Sequence, residues 1–434
     1  MNLNNAIKSF GKNILEHFDI KSAAKLISIK SFGILSSISI TLIIVRELEP
    51  KNVGIYFLYF AIAKLSSIVF SLGSFAAIIP IYSSSNKEDA KHLVSLALSS
   101  SIWMALINII CMGLIFFLLP ETTQLRFWYV PAASLLSALI IIQTNLFHIF
   151  SVKSMLTEAT IFQEGTGRNI LMCLFFLIII VFDESLLGLR SIFFSTIFAS
   201  SFLVIYGLTR FYFSLNIFAI PYSLTKKYFS LSLNFFPSTA LLYGSSHIFE
   251  ILINYLFGPI SLAIIAIANR VCELLLFFTH LINLYFVKSS KIYFSGNKTN
   301  LIKLSKKCIS LSFITTLVLT FLYLLLGHNL AYEFLKLADF EYSEMAIFIM
   351  IISTIGQSIT IFSQNFLTNI GRFKFLIALD SVILIFGIFL LFLTSLYQLA
   401  IIPVAVIILL RIIRQITCFY YASSLVLEKK DSNS

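Results

Sequence analysis

The chain has 434 residues, 59% of them hydrophobic and only 12% charged, with 45 Phe and a formal net charge of +11. Soluble domains carry about a quarter charged residues, so this composition excludes an ordinary soluble protein. The positive charge clusters on no soluble domain, which argues against nucleic acid as a partner, and apolar runs long enough to cross a bilayer recur from end to end.

The first twenty residues lack the apolar stretch of a signal peptide. They read either as a short helix on the membrane surface, with Ile7, Phe10, Ile14, Leu15 and Phe18 on one side, or as a polar tail. Twelve spans follow, over residues 24–45, 53–81, 93–119, 127–150, 169–182, 185–208, 229–256, 260–287, 308–327, 343–370, 373–393 and 397–423. The fifth is short at its polar end and has an alternative start near Met155. Each span is read as a helix, because backbone polar groups in hydrocarbon need partners within their own segment. The expected fold is therefore an all-α polytopic membrane protein.

With the N-terminus in the cytoplasm, the termini and even-numbered loops carry 21 Lys and Arg. The odd-numbered loops carry five: Arg46, Lys51, Arg126, Arg190 and Lys336. This bias puts both termini in the cytoplasm. The loop IYSSSNK at 81–87 returns as IYFSGNK at 292–298, offset by 211 residues and following the second span of each half. A weaker echo pairs Pro50–Ile55 with Pro259–Ile264. Six spans per half start both halves on the same side. The expected architecture is two six-helix lobes, 1–214 and 215–434, related by a pseudo-two-fold axis along the membrane normal.

Charges inside spans each cost about 2.5–3.5 kcal/mol on insertion scales and require a reason. Lys64 and Arg270 lie near mid-depth of the second and eighth spans, and Glu273 follows Arg270 on the same helical face. They form either a cationic site for an anionic ligand or a structural ion pair with Glu273. Lys30 sits shallower in the first span, where it either lines the site or snorkels to the surface. Arg411 and Arg414 share a face of the last span with Gln415, and carry the same two readings. Glu250 and Asp380 are further buried acids, and His247 precedes Glu250 by one turn. The His247–Glu250 pair either moves protons in a coupled transporter or only holds helices together.

Cys111, Cys173, Cys272, Cys308 and Cys418 show no paired spacing, which argues against a disulfide framework or a zinc site. Neither a Walker loop, a dinucleotide fingerprint nor an HExxH motif occurs. No catalytic residue, metal or cofactor is expected.

The segment RELEPKNVGIY at 46–56 resembles the loop after the first helix of Wzx-type polysaccharide flippases, whose pattern is R-x-L-G-P-x-x-F-G-x-Y. These belong to the multidrug/oligosaccharidyl-lipid/polysaccharide exporter (MOP) superfamily. Arg46, Leu48, Pro50, Gly54 and Tyr56 match, while Glu49 and Val53 depart. In the second half Glu250 stands where the family often has Asp, Ile251 replaces an Arg, and Phe257-Gly258-Pro259 keeps the turn. The resemblance implies a flippase, not an enzyme, that turns a polyprenyl-diphosphate-linked glycan across a bacterial inner membrane for O-antigen or capsule assembly. It implies a glycan polymerase and chain-length proteins as partners, and proton or sodium coupling. Lipid II flippases of the superfamily use basic residues on helices one, two and eight; Lys30, Lys64 and Arg270 lie on those helices, whereas two C-terminal helices usual in that group are missing. A multidrug antiporter of the same superfamily and, from another class, a membrane glycan polymerase are the rival expectations.

Overall fold

A computed structural model describes residues 20–118, 129–182, 188–211, 221–276, 298–327, 342–370, 372–397 and 401–428, with a few single positions between them. The N-terminal surface helix, most of the second loop copy and the end of the eighth span lie outside the described residues.

Fourteen α-helices are described. The first half contributes α1 (Ile20–Glu47), α2 (Pro50–Ser71), α3 (Ser74–Ser84), α4 (Lys87–Leu118), α5 (Tyr129–Val152), α6 (Leu156–Phe162), α7 (Thr166–Phe182) and α8 (Leu189–Thr209). The second half contributes α9 (Tyr222–Phe257), α10 (Pro259–Leu275), α11 (Lys298–Leu322), α12 (Ser343–Asn369), α13 (Phe373–Thr394) and α14 (Ile402–Glu428). Nine described helices are long and apolar enough to cross a membrane, ten when the bent pair α6–α7 counts as one span. Two other predicted spans fall on α9 and on α10, the latter described for 17 residues. Phe194, Phe198, Phe202 and Ile205 form a bare stripe along α8, each more than half exposed, as a lipid-facing surface requires.

Two predicted spans are broken. The second splits at Leu72 and Gly73, both left-handed, where the missing Gly73 side chain lets the turn rest on the α9 backbone at Ser232 and Phe236. The fifth begins earlier than 169: α6 and α7 meet at 62° across the 3₁₀ turn Gln163–Gly165.

Buried polar side chains tie the first half together. Ser66 on α2 donates to Asn108 on α4, and the Asn108 amide donates to the Ser134 carbonyl on α5 at 3.2 Å. Gln143 on α5 donates to the Ser200 carbonyl on α8 at 3.0 Å. Each bond replaces water that hydrocarbon cannot supply.

The apolar core divides unevenly along the bundle. At the end where α2 and α10 begin, one cluster runs through both halves, joining Ile44, Val53 and Tyr56 to Ile253, Leu262, Met350 and Val404. At the opposite end the clusters are separate: one centres on Ile78, Leu98 and Phe150, the other on Phe366, Leu376 and Cys418. The first turns of α9 pack into the former through Tyr228. A shared core at one end and split cores at the other describe a cleft closed at the Pro50–Pro259 end.

That closure has a local cause. Both α2 and α10 start with proline, whose fixed φ suits the first helical turn. The two starts cross so closely that a Cβ on Gly54 would collide with the Pro259 carbonyl. Glycine is what the crossing demands there.

Candidate functional site: a cationic cavity between the two halves

A cavity of about 800 Å³ lies between the two halves. Helical periodicity brings its polar walls together. On α2 the lining positions Phe57, Phe60, Lys64, Ser67 and Ser71 fall three or four apart; on α10 Ala266, Arg270 and Glu273 do the same, with Asn269 beside Arg270. α9 adds His247 and Glu250, α14 adds Arg411, Arg414 and Gln415, and α7 adds Arg168.

Five cations therefore line the cavity: Lys64, Arg168, Arg270, Arg411 and Arg414. Two acids line it, Glu250 and Glu273, with Asp380 buried behind Arg414. The pairing among them is selective. Arg270 donates to Glu273 at 2.5 Å within α10. Arg414 grips Asp380 of α13 with two bonds, 2.7 and 3.2 Å. His247 Nδ1 and Glu250 Oε2 are 2.7 Å apart. All three acids are thus engaged.

The other three cations have no carboxylate within ion-pair distance among the described residues. Arg411 donates to the neutral Asn269 amide oxygen at 2.9 Å and rests on Met350 sulfur. Lys64 Nζ lies 5.0 Å from the centre of the Phe60 ring. Arg168 Cζ lies 4.8 Å from the same ring, and its buried Nε has no hydrogen-bond partner. A cation–π contact offsets only part of what a desolvated cation loses. These three groups leave the cavity with an unmet demand for negative charge.

The predicted residues separate as follows. Lys64, Arg270, Arg411, His247, Glu250 and Glu273 reach the cavity wall. Asp380 serves as the partner of Arg414, tying α13 to α14. Lys30 stands at the margin, donating to Gln163 Oε1 at 3.3 Å, and it is Gln163 that lines the cavity.

Arg168 is the residue that the sequence reading leaves in the loop before the fifth span. It is only 5% exposed. Gly165, at φ +78°, has the Arg168 guanidinium packed where its Cβ would stand. The signal was local: the polar run QEGTGR looks like a loop, yet a span starting near Met155 draws it inside the bundle.

No protein-family model and no curated protein matches this chain. Solved structures do. A multidrug resistance MATE family transporter of the MOP superfamily, in an inward-facing conformation, superposes with a TM-score of 0.70 at 15% identity, over 95% of this chain and 100% of that one. The outward-facing conformation of a MATE transporter of the same superfamily gives 0.68 at 15% identity, over 95% and 97%. A MOP superfamily transporter from Pyrococcus furiosus, for which reverse polarity of the binding pocket is said to suggest a different function, gives 0.67 at 14% identity, over 95% and 97%. The chain has the two-lobed, all-helical fold of the MOP superfamily transporters.

Proposed function

We propose that the chain is an alternating-access transporter for an amphipathic anion, a polyprenyl-diphosphate-linked glycan. The observation that carries this is the acid-free trio Lys64, Arg168 and Arg411 on the wall of a cavity between the lobes. A diphosphate supplies the missing charge, and a planar guanidinium can bind its oxygens through two bonds at once. Low dielectric around the site strengthens that pairing.

In this reading the split end of the bundle faces the cytoplasm, as the lysine and arginine bias of the loops suggests. The membrane is a bacterial inner membrane with both termini inside, and the lobes divide near residue 214. Headgroup and diphosphate enter from the cytoplasm while the polyprenyl tail stays in lipid. Rocking about the Gly54–Pro259 contact then exposes the headgroup outward. Glu250, held by His247, is the group to couple that step to protons, with sodium as the alternative ion. A glycan polymerase and chain-length proteins would act on the delivered units.

A multidrug antiporter is the second reading, favoured by the MATE neighbours and by the two acids on the wall. The basic excess opposes a cationic cargo. The test is surface glycan in a strain that depends on this protein, with Lys64→Ala and Arg168→Ala each at wild-type protein level. Loss of the glycan in both supports the flippase; intact glycan together with drug resistance on overexpression selects the antiporter.

A further inference from the structure

The charged groups occupy only part of the cavity; another part of its wall carries aromatic and amide side chains. Tyr243 of α9 lines this region and is 52% exposed. Its ring meets Phe75 edge-on, centroids 6.2 Å apart at 66°, and Phe75 in turn lies over His148 at 5.3 Å and 20°. Phe75 is 7% exposed and braces the half-exposed tyrosine from one edge. On the second-half wall stand the side-chain amides of Gln357 on α12 and Gln415 on α14, which have no hydrogen-bond partner among the described residues. Each amide offers two donors and an acceptor.

From this arrangement we infer that Tyr243, with Gln357 and Gln415, forms a subsite for a neutral pyranose beside the diphosphate-binding cations. The apolar face of a sugar ring stacks on an aromatic ring, and its hydroxyls need both donors and acceptors, which amides supply without charge. An anion would find donors here but no use for the amide acceptors, and a purely apolar cargo would leave both amides without partners. The inference rests on the transport reading above and deepens it: the cargo's diphosphate lies at Lys64, Arg168 and Arg411, and its first sugars lie at Tyr243.

The experiment measures binding to the purified full-length chain in lipid nanodiscs. The probes are farnesyl diphosphate and farnesyl diphosphates carrying glucose, galactose or N-acetylglucosamine. At least one glycosylated probe should bind about tenfold more tightly than farnesyl diphosphate, the scale of one aromatic contact. Tyr243→Ala should abolish that difference and leave farnesyl diphosphate binding within twofold, which also reports that the variant is folded. Tyr243→Phe should retain the difference. Equal binding of all four probes, or a sugar preference that survives Tyr243→Ala, overturns the subsite. Failure of farnesyl diphosphate to bind while a Tyr243-dependent sugar preference persists overturns the diphosphate reading instead. Ethidium binding that depends on Tyr243 without any sugar preference assigns the ring to a drug and overturns the subsite.

Discussion

The Lys64 ammonium and the Arg168 guanidinium stand on the same Phe60 ring, 5.0 and 4.8 Å from its centre, and neither has a carboxylate partner among the described residues. On the function proposed above, two cations drawn from different helices and held by one aromatic ring form a site that an anion completes. Removing either should weaken diphosphate binding by about 1.5–3 kcal/mol, the range for a hydrogen bond to a charged group. Arg168→Lys should not rescue, because an ammonium lacks the planar fork. Titration of farnesyl diphosphate into each variant checks this, and an Arg168→Lys variant of wild-type affinity would remove the special role of the guanidinium.

Gly165 makes room for Arg168. Its left-handed φ strains any side chain, and a Cβ there would meet the guanidinium. Gly165→Ala should cost about 1–3 kcal/mol in stability from backbone strain alone, and should also displace Arg168. Thermal unfolding in detergent and farnesyl diphosphate affinity should fall together. A variant with unchanged melting and unchanged affinity contradicts the packing described here.

The Arg414–Asp380 pair is structural, with the Asp380 side chain 6% exposed and that of Arg414 24% exposed. Asp380→Asn leaves a guanidinium in the bundle without its counter-charge, at a cost of about 3–5 kcal/mol. Replacing both residues by Leu and Met should recover most of that loss. Melting temperatures of the single and double variants, taken as a cycle, decide it: equal losses in both would place Asp380 in a role beyond pairing.

How much of this was legible in the sequence follows from what each feature looks like in one dimension. Lys64 and Arg270 stand out because they interrupt apolar runs, and a charge in such a run needs a reason. Arg168 did not stand out, since it ends a polar hexapeptide and enters the bundle only because α6 and α7 bend at Gly165. The break at Leu72–Gly73 was hidden by continuous hydrophobicity across it. Depth could be read for Lys30 but rotation about its helix could not, and it points to Gln163 at the cavity margin. The partner of Asp380 was equally out of reach, because an ion pair between α13 and α14 depends on how two neighbouring helices are turned.

The crossing of α2 and α10 sets the closed end. Gly54→Val puts a branched side chain against the Pro259 carbonyl and should push the two helix starts apart. Spin labels at Lys51 and Ile260, both exposed, report the distance directly. The expected outcome is a longer mean distance in Gly54→Val than in the parent. An unchanged distribution would show that the crossing does not limit closure.

The most direct test of the cationic cavity is the binding of farnesyl diphosphate to the purified protein, compared across wild type, Lys64→Ala, Arg168→Ala and Arg411→Ala. Saturable binding in the wild type, weakened about tenfold or more in each variant and by added salt, is the predicted result. Binding that is absent in the wild type, or equally tight in all four proteins, would contradict it.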